Sequence, residues 1–521
     1  MNKILYLLLF ILSFGGGICQ NIQMSPNGLV LPKVNMKTLE QSQIAQEGMM
    51  VYDSCFHLPR FYDGKNWSFG RGEADNHEVV SRFLQFKATS GHSLSVEVLK
   101  NDFQGNIYFY GRKEEGTVQY ENLSKTCPPN NYLHTIGKLD KYGNMLWWYS
   151  FFTAQDFCVI YDLAADSQGN VFAVGRIAEP VSFDGFTTIN PSGNSMGFIL
   201  KINSSGQYGW SKLIQNGPLS QVEVFADDNL IVGGSFSGNL TFESVNLQSS
   251  TQTAFVFKTD GSGTPTYSRT FSASTSAALQ ALSVNLYDWA VAVDFEGNYQ
   301  FGFQTIPSDS VDIFVTAFDV SDQISLFKKI GGSGIQNARH LLLSDSKLLI
   351  DGRFEDNFTV DSYAYQFGVN GNYSGFFIVL ERSNATLTDR LVIQPEQENE
   401  NAWFYHIAHD FFGNFYISYR VNGSGVLHTV DNSELYENIP SGYGILKFKL
   451  PFNHPIEPVY LRKTEQFVWP QGLIAHGFYK GAFMSLSTNT PSNYWLPVDG
   501  FDFTNPKYSN SSFIRHYYEN Y

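Results

Sequence analysis

His406, His409 and Asp410 form a grouping whose types and spacing invite a metal-centred reading, because two imidazoles three residues apart share one face of a helix. The segment aligns, however, with Tyr161 to Asp166, a strand running into a turn. On a strand His406 and His409 point to opposite faces, and Asp410 becomes the turn residue. Asp102, Asp166 and Asp410 each open an Asp-x-x-Gly-Asn sequence. Acidic loops with glycine are what calcium uses, but each of these offers one carboxylate where an EF-type loop offers several. They therefore read as structural turns, in which the Asp side chain closes on its own backbone and the Gly takes positive φ, with calcium as the alternative. There is no metalloprotease, nucleophile-elbow, P-loop or dinucleotide motif, and no Cys-x-x-Cys or Cys-x-x-His spacing that would suit zinc.

The elements that carry these residues follow from an internal repeat. Lys138-Leu-Asp140-Lys-Tyr-Gly143 recurs as Lys201-Ile-Asn203-Ser-Ser-Gly206 and as Lys258-Thr-Asp260-Gly-Ser-Gly263, each an alternating strand that ends in a turn and re-emerges with an aromatic at Trp147, Trp210 or Tyr267. The turns at Asp102, Asp166 and Asp410 are each followed by a strand, and Phe236-Ser-Gly-Asn239 recurs as Phe295-Glu-Gly-Asn298 and Phe354-Glu-Asp-Asn357. With the second strand of each unit as anchor, copies start near Ile107, Val171, Leu230, Trp289, Leu348, Phe415 and Ala482. Four strands in each of seven such units predict an all-β, seven-bladed β-propeller with four-stranded blades over residues 79–521. The last unit ends at Phe513 to Tyr518, one strand short, and Val79 to Ala88 has no unit of its own. That segment is expected to pair as the outer strand of the last blade, closing the ring and covering an exposed edge.

In such a ring the first strand of each unit faces the axial channel. By alignment these strands contain Glu97, Asp162, Glu223, Arg339, His340, His406 and His476, a candidate ligand-binding set at the channel mouth that would support acid/base chemistry only where carboxylates converge. Tyr405, Tyr443, Trp469, Tyr494 and Trp495 are candidates for stacking on sugar rings, although most of the aromatic residues must be core.

Composition supports this architecture. Phe 45, Tyr 29 and Trp 8 match the charged residues in share, so the chain can bury a large core and is not disordered. A net charge of −15 with no Lys/Arg-rich run argues against a nucleic-acid partner. Lys3, the apolar run Ile4 to Phe14 and the small residues up to Cys19 read as a signal peptide over residues 1–19, with acylation of Cys19 as the alternative. No later apolar run is long enough for a transmembrane helix. Residues 20–78 are expected to form a small β-hairpin module. Cys55, Cys127 and Cys158 then remain, and Cys127 with Cys158 is the preferred disulfide, three buried thiols being the alternative.

The Asp-x-x-Gly-Asn turn with its strand, the glycine that ends that strand, and Gly197-Phe-Ile-Leu-Lys-Ile202 resemble the bacterial β-propeller repeat family often called SBBP repeats, over residues about 80 to 521. The segment from Gly28 through Tyr52-Asp53 to Trp67 looks like a short module found near the start of exported proteins of the Bacteroidetes, which often end in a type IX sorting domain; none is recognised here. The resemblance implies fold and export more than activity. The reading is of a non-enzymatic exported scaffold, extracellular, at the cell surface or in the periplasm, that binds a carbohydrate or protein. A glycan-active hydrolase or lyase and a structural assembly component are the alternatives.

Overall fold

The computed structural model describes, before residue 94, the strands at 23–25, 28–30, 33–34, 50–53, 58–62, 67–68 and 78–88 together with residue 49. It describes 94–450 with short gaps, and then strand backbone at 457–463, 468–475, 481–488 and 511–520. All regular elements among these residues are β, and none is a helix long and apolar enough to cross a membrane. Two compact units divide the chain at residues 76 and 77. In the first, Gln23–Ser25 pairs with Gly28–Val30. Met50–Asp53 there lies between Lys33–Val34 and Leu58–Tyr62, which in turn pairs with Trp67–Ser68.

The second unit is a succession of antiparallel four-stranded runs. Cys158–Ala165, Val171–Ile177, Met196–Ile202 and Tyr208–Gln215 show the pattern: each strand pairs with the next, in chain order. The first strands of these runs are β1 (Ser95–Asn101), β2 (Cys158–Ala165), β3 (Leu219–Val224), β4 (Ser276–Asn285), β5 (Gln336–Leu343), β6 (Ala402–His409) and β7 (Val468–Ala475). The run that starts at β7 continues through Gly481–Thr488 and Ser511–Asn520 and is completed by Glu78–Ala88 from the other end of the chain, with Arg515 opposite Phe83. Each of β1 to β7 contacts the next, and β7 contacts β1.

Packing explains why the middle strands are apolar without alternation. Val171–Ile177 and Met196–Ile202 are buried at nearly every position because both faces of their sheet meet a neighbouring sheet. One core joins Tyr108, Tyr110 and Ile136 to Ala173, Phe198 and Leu200 of the next run. Another joins Phe172 and Ile199 to Val232 and Phe255 of the run after that, and further cores repeat the arrangement at Trp289, Ile350 and Phe377. Phe86, from the first strand of this unit, packs against Phe109 and Tyr120.

The preferred disulfide does not exist. Cys127 and Cys158 are both thiols. Cys127 lies in the core that holds Phe86 and Phe109, and Cys158 in the one between the first two runs, so a sheet's side chains separate them. The Cys127 Sγ instead donates to the Asn131 carbonyl at 3.1 Å, and burial pushes its thiol up to about 11.

The first strand of a run has one edge without a strand neighbour, so its amides need other acceptors. Side chains of the preceding run supply them. Ser235 Oγ accepts from the Leu279 amide and Asp294 Oδ1 from the Ala338 amide, both at 2.9 Å. The Asn337 side chain donates to Asp294 Oδ2. Burial nevertheless pushes the Asp294 carboxyl up to about 7, against the opposing effect of these donors and of Arg353 and Arg339. A carboxyl raised in the folded state binds a proton there that the unfolded chain has already lost, so its stabilisation is present at pH 4 and disappears as pH rises to 7. Asp294→Asn should therefore gain stability relative to the unaltered chain between pH 4 and pH 7 and hold a constant difference above that, read from urea melts across the range; a difference that does not vary with pH would contradict the assignment.

Candidate functional site

One irregularity recurs in every first strand. The register slips by one residue at Glu97 in β1, Tyr161 in β2, Ser220 in β3, Gln280 in β4, Arg339 in β5, Tyr405 in β6 and Gln471 in β7. Each is a β-bulge, in which two residues oppose one on the partner strand and the local side chains are re-aimed. The strand opposite makes room for it at several positions. A Cβ at Gly175 would lie 1.9 Å from the Val159 carbonyl oxygen, and one at Gly234 would lie 2.0 Å from that of Pro218.

The bulges sort the candidate residues into tiers. Glu97 and Arg339 occupy the bulge itself, Asp162, His340 and His406 the position after it, and Glu223 lies two further on. His476 and Asp410 lie outside the described residues. Glu97 pairs with Arg112 of its own sheet at 3.4 Å. His406 is not joined to His409, which is exposed at the strand end and has its ring 6.1 Å from that of Phe415.

Asp162 and Glu223 do converge, on a residue that the sequence reading passed over. Lys100 Nζ of β1 lies 3.2 Å from Asp162 Oδ1 of β2 and 3.1 Å from Glu223 Oε1 of β3. Asp162 also accepts from the Leu163 amide and, at 3.0 Å, from the Val222 amide of β3, so one carboxylate ties three first strands together. Burial works against the Lys100 charge, but the two carboxylates more than offset it and hold the ammonium above the usual lysine range. For Glu223 the balance runs the other way: burial, with Asp162 nearby, raises the carboxyl despite Lys100. The cluster is reachable, since the Lys100 and Glu223 side chains are each 30% exposed. Tyr161, at the neighbouring bulge, is 42% exposed.

A second convergence joins β5 and β6. The His340 and His406 rings have centroids 4.6 Å apart. His340 Nδ1 meets the fully buried Asp351 carboxylate at 3.1 Å. His406 Nδ1 donates to the Tyr405 carbonyl at 2.8 Å. Burial, followed by His340, Arg339 and Lys100, keeps His406 well below the usual histidine range and therefore neutral at pH 7. Arg339 lies over the Tyr405 ring, 5.4 Å from its centroid. Tyr405 is buried, so it is no platform for a sugar, and the side chains of Tyr443, Trp469, Tyr494 and Trp495 lie outside the described residues.

At the turns, Asp102 Oδ1 accepts from the Gln104 and Asn106 amides at 2.9 Å and its Oδ2 from Asn106 Nδ2 and the Tyr108 hydroxyl. Asp166 repeats the arrangement with Gln168 and Asn170. Gly105 and Gly169 take φ of 82° and 76°. Both carboxylates are thus engaged by donors of their own turn.

No family model and no curated protein matches this chain. Among solved structures it is similar to Kuenenia stuttgartiensis hydrazine synthase, at 9% identity over 76% of this chain and 94% of that one, with a TM-score of 0.41. A mutant Synechocystis apocarotenoid oxygenase follows at 9% identity, 72% and 66% coverage and a TM-score of 0.26. A tail fiber of a Staphylococcus aureus phage stands at 7%, 69%, 96% and 0.21.

Two outcomes test the site. Asp166→Ala removes the acceptor of the Gln168 and Asn170 amides and should cost about 1–2 kcal/mol in urea melts, Asp166→Asn should retain most of the stability, and added Ca2+ should leave the melting temperature unchanged. Lys100→Met leaves two facing carboxylates without their cation. It should cost about 2 kcal/mol at pH 8 and clearly less at pH 5, since burial and Asp162 raise the Glu223 carboxyl and so favour its protonated form as pH falls.

Proposed function

We propose that this chain is an exported seven-bladed β-propeller, closed by its terminal strands, that acts as a non-enzymatic scaffold and binds a carbohydrate at the mouth of its axial channel. The cyclic contacts of β1 to β7 and the pairing of Glu78–Ala88 with Ser511–Asn520 support the architecture. The leader-like residues 1–19 and the resemblance to SBBP repeats support export. The observation that carries the binding role is the Asp162–Lys100–Glu223 cluster, whose Lys100 and Glu223 side chains are partly exposed, with the exposed Tyr161 next to Asp162 in the chain. Carboxylate acceptors and an ammonium donor suit sugar hydroxyls, and an aromatic face suits the apolar side of a pyranose ring.

The same cluster argues against the hydrolase alternative. Glycoside cleavage needs one carboxyl that can give up a proton and another that acts as base or nucleophile. Burial and Asp162 do raise Glu223, but one ammonium contacts both carboxylates, which favours recognition of hydroxyls over proton transfer.

A screen of soluble oligosaccharides by calorimetry, with mass spectrometry of the recovered glycan, decides between these. The expected result is a glycan returned intact, with affinity lowered about tenfold or more by Lys100→Met and about fivefold by Tyr161→Ala in folded protein. Cleaved glycan would establish the enzyme reading, and affinities that both substitutions leave unchanged would remove the channel mouth as the site.

A further inference from the structure

The His340 and His406 pair has no part in the carbohydrate reading, yet its hydrogen bonding is specific. A backbone carbonyl can only accept, so the contact to the Tyr405 oxygen places the His406 proton on Nδ1 and the ring's lone pair on Nε2. The Asp351 carboxylate fixes His340 in the same way through its Nδ1. An imidazole whose Nδ1–H is held by a carboxylate or carbonyl is the arrangement that orients Nε2 toward a metal and raises its basicity.

The spacing agrees. A ring bound through one nitrogen at about 2.0 Å has its centre about 3.2 Å from the ion, so two rings at the right angle of a square-planar ion have centres about 4.5 Å apart. The observed separation is 4.6 Å, and the rings are tilted by 37° to one another. Lys100 and Arg339 act on His406 as positive charges, and the carboxylates set against them are Asp351 on His340 and Asp162 and Glu223 on Lys100. The His340 side chain is 36% exposed, which gives an ion a way in.

We propose that His340 and His406 bind one divalent transition-metal ion through their Nε2 atoms, with Asp351 and the Tyr405 carbonyl as the groups that hold the two rings. Among the described residues no group of three or more His, Cys, Asp or Glu side chains is placed so that it could hold an ion. Two imidazoles are thus the protein's contribution from these residues, and oxygen ligands from solvent fill the other positions. A nitrogen-donor pair of this kind takes Cu2+ ahead of Ni2+ or Zn2+.

Titration of Cu2+ into the full chain, followed by calorimetry and electron paramagnetic resonance, tests this. One site is expected whose spectrum carries coupling to two imidazole nitrogens. His340→Gln and His406→Gln should each weaken it at least about tenfold and remove one nitrogen, and Asp351→Asn should weaken it by about 10- to 100-fold with both nitrogens retained. Coupling to fewer than two imidazoles in the unaltered chain would overturn the proposal, and so would an affinity that survives in the His340→Gln/His406→Gln double variant. The nitrogen count is read on unaltered protein, so it stands even where a variant fails to fold. The glycan screen reads a different cluster, so either proposal can fail without the other.

Discussion

A small antiparallel sheet whose two middle strands are apolar on both faces cannot be stable by itself in water. It must be covered twice, and every other feature of the larger unit follows from that requirement. Ile199 and Val174 bury one side of a sheet against the following run while Phe198 and Ala173 bury the other against the preceding one. A linear stack would leave two terminal faces bare. The contacts return instead from β7 to β1, and the first described strand of the unit, Glu78–Ala88, hydrogen-bonds to its last, Ser511–Asn520. The pairing joins the two ends of the unit in one sheet, so fraying of either end costs the packing of Phe86 as well as a ladder of hydrogen bonds.

The same constraint creates the candidate sites. When sheets pack face to face around a centre, their first strands crowd together, and the edge of each strand has no strand to pair with. The structure responds with a bulge at one place in every first strand and with side-chain acceptors from the neighbouring run, at Ser235, Asp294 and Asp162. Polar residues are thus drawn to the centre to satisfy backbone amides. Asp162 shows that an architectural and a recognition role need not be separate: one oxygen holds the Val222 amide and the other holds Lys100.

Much of this was legible in the sequence, for a local reason. Turns are specified by adjacent residues, and the Asp-x-x-Gly-Asn pattern predicted second strands at Ile107 and Val171, where they begin. The fate of Val79 to Ala88 was legible as well, because a run lacking one strand and a strand lacking a run have one economical solution. The bulges were not. A one-residue slip leaves no mark on apolar alternation, so a single column of channel residues was drawn through positions that belong to different tiers, and Lys100 was missed although it lies three residues from Glu97. Asp351 was missed because its burial depends on a partner eleven residues earlier. The Cys127 to Cys158 pairing failed because proximity in the repeat says nothing about which side of a sheet a side chain enters.

The two clusters also differ in what holds them, and this bears on how each can act. Lys100 reaches its carboxylates through a long flexible stem, and its partners sit on two other strands, so the cluster can reorganise when a ligand hydroxyl competes for an oxygen. The histidine rings have no such freedom. Each is fixed through Nδ1 to an acceptor of the protein scaffold, one to a carboxylate buried in the neighbouring strand and the other to the backbone of its own bulge. A bulge that exists to let sheets meet at a centre therefore also positions an imidazole more rigidly than a loop could, and rigid donors are what a metal ion selects while adaptable ones suit a sugar.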